Sequence, residues 1–296
     1  MSEQGQQSAP FTSVAVLGPG LLGGSIAKAV RERMPSCELR LWARRQEPLE
    51  LARRLSIADR TYRDVTEAVR GAQLVILATP IGVFPQLVSA MLPALDAEAL
   101  VTDVGSVKAA VHVGVGAQLT QAGRSFIGSH PMSGAEKQGL EHARADLLEG
   151  ATVALTNPHG VAEEMLARLA AFWQALGSRT CEMSPELHDL TTARISHVPH
   201  ALAALCARSA GAAGIPPELL RRLASSGFRD TTRVSSGGAA MWADILSSNA
   251  DAVRAALRDC IADLRHLDPL LEQNDKANLH TWLEQAKESR ENILRR

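Results

Sequence analysis

His130 is the side chain in this sequence best suited to chemistry. It lies in Gly128-Ser129-His130-Pro131-Met132-Ser133-Gly134-Ala135-Glu136, just past an apolar run at 125–127 that reads as a strand. A neutral imidazole at a strand end can take a proton from a hydroxyl as hydride leaves the same carbon, because its ordinary pKa lies near neutrality. A lone histidine is more often structural, so the weight comes from the start of the chain. There Val14-Ala15-Val16-Leu17 runs into Gly18-Pro19-Gly20-Leu21-Leu22-Gly23-Gly24-Ser25 and on into a helical stretch at 26–30. Strand, glycine turn and helix in that order form a dinucleotide fingerprint. Gly18 permits the tight turn, Gly20 lets the backbone approach a pyrophosphate, Gly23 lets helix and strand pack closely, and open amides at the helix start, around Leu21 and Leu22, meet the anion. Ser25 offers a further hydroxyl. The plainer alternative is an ordinary glycine turn, but the apolar strand before it and a second strand at 38–42 favour the dinucleotide.

That second strand ends in Trp42-Ala43-Arg44-Arg45-Gln46, about twenty residues past the glycines, where an enzyme that uses NAD carries an acidic residue for the ribose hydroxyls. The guanidiniums of Arg44 and Arg45 favour the 2′-phosphate of NADP instead, with NAD the second possibility and a solvated basic loop the bland one. Thr79-Pro80-Ile81 closes the third strand and Asp103-Val104-Gly105-Ser106-Val107-Lys108 the fourth. Ligands sit at the carboxyl ends of strands in open parallel sheets. Thr79 and Pro80 are therefore expected at the cofactor, Ser106 near the substrate or the histidine, and Lys108 as a source of charge. A capped helix start would need only the serine and the glycine. In the C-terminal half His197 and His200 share a helix face beside Arg194 and Ser196. No third ligand stands at a sensible spacing, so contacts to a substrate are expected rather than a metal. Arg233, in Gly227-Phe228-Arg229-Asp230-Thr231-Thr232-Arg233, is placed between helices, where it can bind a carboxylate through two parallel bonds or form a surface salt bridge. His112, His142, His159, His188, His266 and His280 show no constellation and read as surface or packing residues.

The elements that position these groups fall into two kinds. Short apolar runs at 14–17, 38–42, 73–78, 100–103, 125–127 and 152–155 alternate with amphipathic stretches, the rhythm of a mostly parallel, doubly wound α/β sheet of the Rossmann kind. After Pro185 the pattern turns to alanine- and leucine-rich helices at 186–213, 217–225, 241–247, 250–271 and 275–294, with Pro199 expected to kink the first. The divisions expected are a disordered tail at 1–12, a dinucleotide-binding domain at 13–183 and an all-helical domain at 184–296. With 31 basic and 32 acidic residues among 296, the chain gives no electrostatic reason for a nucleic-acid or membrane partner. Four scattered cysteines fit a reduced, cytoplasmic protein.

With these residues in place, the chain resembles the prephenate/arogenate dehydrogenases of tyrosine biosynthesis from about residue 13 to about residue 290. The resemblance rests on the glycine turn, Asp103 to Lys108, the His130 motif, His188-Asp189, Ser196-His197-Val198-Pro199-His200, Gly227 to Arg233, and Met241-Trp242. It implies oxidative decarboxylation of a cyclohexadienyl ring, prephenate or arogenate, by a homodimer joined through its helical domain, for which the alanine-rich face at 201–213 is suited. It also implies that His130 takes the proton of the ring hydroxyl, that Ser106 holds that histidine and the hydroxyl, and that His200 and Arg233 bind substrate carboxylates, with Trp242 and Asp230 as wall and support. The Arg44-Arg45 pair departs from the family's more usual NAD preference. Two other classes stay open: a β-hydroxyacid dehydrogenase, whose catalytic lysine would come from a helical half that here offers only Lys276 and Lys287, and a redox sensor that binds NADP without turnover.

Overall fold

The computed structural model describes residues 9–134, 137–212 and 214–295, so Ala135 and Glu136 of the histidine motif, and Ala213 of the alanine-rich face, lie outside it. Six parallel strands, β1 (Ser13–Leu17), β2 (Glu38–Trp42), β3 (Arg60–Tyr62), β4 (Leu74–Leu77), β5 (Leu100–Asp103) and β6 (Ser125–Phe126), form one sheet in the order β3-β2-β1-β4-β5-β6. The order reverses between β1 and β4, which opens the crevice where such sheets bind ligands. Strands β1, β4 and β5 are buried at every position because both faces are covered. Side chains alternate across a strand, so Val14 and Val16 join a core with the helices Leu21–Arg33 and Glu163–Ala175, while Ala15 and Leu17 join another with Phe84–Met91.

A second sheet corrects the sequence reading. β7 (Gly128–Pro131) pairs antiparallel with β8 (Thr152–Thr156), which pairs in parallel with β9 (Arg179–Glu182). His130 is therefore inside a strand, opposite Ala154, rather than in the loop after one. The run expected at 152–155 belongs to this smaller sheet and not to the parallel one. β3, β7 and β9 escape a search for apolar runs because Arg-Thr-Tyr, Gly-Ser-His-Pro and Arg-Thr-Cys-Glu carry no such run.

The change from sheet to helix comes at Pro185, where Ser184 caps Pro185–Thr192 by accepting from the Leu187 N–H at 3.1 Å. The single long helix expected from 186 is interrupted by a π turn at Ala193–His197, in which the Val198 N–H reaches back to the Ala193 carbonyl. Val198–Ala212 then begins afresh. Pro199 falls in its first turn, where a missing N–H is harmless. The segment around 227–233, expected between helices, is itself the helix Ser226–Thr232, with Arg233 opening a 3₁₀ turn. Compact packing carries through Asn249, and a second compact unit begins at Ala250. That unit holds the helices Ala250–Glu272 and Lys276–Leu294, the latter capped by Asp275. No helix among the described residues is long and apolar enough to cross a membrane.

Of the tail expected at 1–12, residues 1–8 lie outside the described ones and the last residues are packed. Phe11 is fully buried, its ring 6.0 Å edge-on from that of Phe172 and 4.3 Å beneath the Arg168 guanidinium. Thr12 donates to the Gln73 side chain at 2.9 Å and accepts from the Glu38 N–H at 2.8 Å. Phe11→Ala should lower stability by about 3–5 kcal/mol, seen as a lower urea midpoint with an unchanged slope, whereas a free tail would leave the midpoint where it was.

His112, read as surface or packing, sits in the π turn His112–Gly116 with its ring edge-on to Phe126 of β6 at 5.1 Å and its Nε2 2.7 Å from the Thr156 hydroxyl on β8. Burial, then the nearby Lys108 ammonium, depresses its pKa to about 3. The unfolded imidazole binds a proton near pH 6.5 and the folded one does not. Stability from this group is therefore whole above pH 6.5 and is lost as pH falls from there toward 3. His112→Gln should flatten the fall in unfolding free energy over that window by about 1.4 kcal/mol per pH unit, measured by urea titration at successive pH values.

Candidate active site

The glycine turn is shaped for a dinucleotide. Gly18 has φ +111°, and a Cβ there would lie 2.8 Å from the Ala78 carbonyl oxygen, while one on Gly23 would lie 2.2 Å from that of Gly18. Neither position admits a side chain, which is why helix and strand can close on each other. Gly20 is different, with no atom within 4 Å of where its Cβ would be. It is the N-cap of Leu21–Arg33 and supplies no side-chain cap, so the first helical amides face open space. Leu21 and Leu22 line the cleft in front of them, as do Thr79 and Pro80 after β4. Ser25 does not: it is buried and its hydroxyl accepts from the Arg144 N–H at 3.0 Å, a packing role. Arg44 and Arg45 are exposed at the end of β2, where the Gly18 N–H bonds the Trp42 carbonyl at 3.0 Å.

The cleft, of about 640 Å³, extends from this turn to Ser106, His130, Ser196, His197, Arg233, Trp242 and Asp244. His130 is held by a chain of contacts. Its Nδ1 lies 2.8 Å from His188 Nε2, and His188 Nδ1 lies 2.7 Å from the Asp189 carboxylate. That carboxylate also accepts the Lys108 and Ala109 N–H groups at 2.7 and 2.9 Å. A carboxylate held by such donors only accepts, so His188 must donate through Nδ1 and accept through Nε2. His130 in turn donates through Nδ1 and keeps a lone pair on Nε2. Burial first, and then the Lys108 ammonium, hold its pKa well below the ordinary value, so the free base persists.

His197 carries the opposite polarity. The Asn249 amide donates to the Asp189 carbonyl at 2.8 Å, which fixes that side chain as a donor, and its nitrogen is also 3.1 Å from His197 Nδ1. His197 therefore accepts at Nδ1 and carries its proton on Nε2. Burial lowers its pKa to about 4, which leaves it a neutral donor. His200, expected at a substrate carboxylate, instead stands behind Trp242, their rings stacked with centroids 3.5 Å apart. It is not part of the cleft wall. The stack requires Gly237, since a Cβ there would come 2.4 Å from Trp242 Nε1.

Of the residues expected from sequence, Gly20, Leu21, Leu22, Thr79, Pro80, Ser106, His130, His197 and Arg233 share the cleft, while Gly18 and Gly23 shape it from behind. Sequence reasoning missed the role of His188, whose contact with His130 spans 58 residues of chain, and that of Asn249. The one signal available was the adjacent His188-Asp189 pair. The Nδ1 of His130 is thus partnered by His188, and Ser106 lines the same cleft as its ring.

The comparisons with known proteins agree with this geometry. Residues 26–182 match the prephenate dehydrogenase nucleotide-binding domain and residues 184–285 the prephenate dehydrogenase dimerization domain. The chain is 32% identical over 280 residues to the cyclohexadienyl dehydrogenase of Zymomonas mobilis, covering 94% of each. A prephenate dehydrogenase structure from A. aeolicus, in complex with hydroxyphenyl propionate and NAD+, superposes with a TM-score of 0.87 at 29% identity, covering 95% of this chain and 98% of that one. A Synechocystis arogenate dehydrogenase superposes at 0.81 with 30% identity, covering 95% of this chain and 100% of that one. Across both its sheet-bearing and its helical halves, the chain belongs to the prephenate dehydrogenase family.

Proposed function

We propose that this protein oxidises and decarboxylates prephenate or arogenate, giving 4-hydroxyphenylpyruvate or tyrosine. The observation that carries this reading is that the His130 relay and the open helix start at Gly20 meet in one cleft. A bound nicotinamide dinucleotide would supply the hydride acceptor. His130 Nε2 takes the hydroxyl proton as that carbon loses its hydride. The bond to the ring carboxylate breaks, its electron pair completes the aromatic ring, and carbon dioxide leaves. Ser106 is the second partner of the hydroxyl. His197, a neutral N–H donor, and Arg233, a cation, serve the carboxylates, and His200 braces Trp242 as a wall. The match of residues 184–285 to a dimerization domain supports a homodimer. The test is a steady-state assay with both substrates crossed against both cofactors; dinucleotide binding with no turnover on either substrate would favour a sensor instead. His130→Asn should lower kcat by about 10² to 10⁴ with dinucleotide affinity nearly unchanged, and a variant that keeps half its turnover would remove His130 as the base.

NADP is the proposed preferred cofactor. Arg44 and Arg45 are exposed and have no hydrogen bond or ion pair among the described residues, and they stand where an acidic side chain would repel a phosphate. Truncating the better-placed arginine to Ala should weaken NADP by about ten- to 150-fold and leave NAD nearly unchanged, with the discrimination shrinking as salt rises. Paired KM measurements decide it: an equal or lower KM for NAD in the parent protein means the pair is a solvated loop.

A further inference from the structure

We propose that Lys108 is a positioning residue for His130, gripping both the strand that carries this imidazole and the carboxylate that begins its relay. The proposal rests on His130 being the base of the reaction above. The sequence offers Lys108 as a source of charge, and its side chain is wholly buried and outside the cleft wall. Its ammonium donates to the Asp103 carboxylate and, at 2.8 Å, to the Ser129 carbonyl. Asp103 in turn accepts the Ser129 N–H at 3.1 Å and the Gly105 N–H at 2.8 Å.

The reason lies in the sheet. β7 is an edge strand, paired only with β8, so the Ser129 N–H and carbonyl on its far side would be buried without partners. The ion pair satisfies both of them, one residue before His130. The Ser129 hydroxyl is pinned as well, 2.7 Å from that of Thr102 on β5 and 3.2 Å from Trp173 Nε1. At the other end, the Lys108 backbone N–H holds Asp189 at 2.7 Å, and Asp189 orients His188. One residue thus fixes the place of His130 and the direction of its hydrogen bond.

A buried ion pair is a weak source of stability, and an apolar pair of similar volume often does as well. What an apolar pair would lack is the cation. The charged and titratable groups that face His130 are Lys108, His188 and His197, with Asp189 behind His188. Removing the ammonium takes away one of the groups that oppose protonation, so His130 would titrate at a higher pH. A neutral base is required, so the acidic limb of kcat/KM would move the same way.

The test compares the parent protein with Lys108→Met, with the charge-neutral pair Lys108→Met/Asp103→Asn in case the single change does not fold, and with Lys108→Arg. The His130 imidazole C–H resonance, assigned by its loss in His130→Asn, is titrated by NMR, and kcat/KM is followed against pH. The expected result in a folded Met variant is a His130 midpoint raised by about half a pH unit or more. The acidic limb should move with it and kcat should fall at least about tenfold, with dinucleotide affinity retained and the loss partly restored by Arg. An unmoved midpoint in the folded Met variant overturns the proposal, and so, in the folded neutral pair, does a His130 imidazole resonance left at its parental position. The titration needs no turnover, so a parent protein inactive on both substrates would refute the proposed function while the midpoint still decides the role of Lys108.

Discussion

An ionised carboxylate accepts hydrogen bonds and donates none, and at Asp189 this asymmetry sets the direction of the protons around the cleft. Its side chain orders His188 and then His130, leaving a lone pair at the far end. Its carbonyl orders Asn249 and then His197, leaving a proton at the far end. A single residue on the helix Pro185–Thr192 therefore makes one imidazole a base and its neighbour a donor, both of them neutral because both are buried. That division of labour suits a substrate with a hydroxyl to deprotonate and carboxylates to hold.

The fold serves this arrangement by bringing three separate chain regions to Asp189. The parallel sheet delivers the turn after β5, whose Lys108 and Ala109 amides meet the carboxylate. The small sheet delivers β7 and His130. The helical segment delivers Asp189 itself with His188 and His197. Because β7 is an edge strand rather than the continuation of the parallel sheet, it needs side-chain partners along its free edge, and the Asp103–Lys108 pair provides them.

What could be read from the sequence follows from how local each signal is. β1 and β4 are legible because burial on both sheet faces leaves runs of apolar residues, and the glycine turn because backbone closeness demands glycine at fixed offsets. β7 was hidden, since Gly-Ser-His-Pro satisfies its backbone through distant partners and not through apolar packing of its own. The role of His188 is hidden for the same reason: its side chain acts on His130, 58 residues away. His200 has the spacing to His197 of a shared face, while its ring is taken up by Trp242. The helix at 226–232 was missed because Gly227 and a run of polar residues obscure its period.

The π turn at Ala193–His197 holds one residue more than an α-helical path would need. Each residue of an α-helix turns the chain by about 100°, so removing that extra residue would not merely shorten the segment. It would rotate the following helix about its own axis and carry His200 off the face it shares with Trp242, while His188 and Asp189, upstream, kept their places. This stretch of chain is therefore a phase setting between two halves of the cleft, and apart from Ser196 and His197, which line the cleft, it should tolerate changes in the identity of its residues far better than a change in their number.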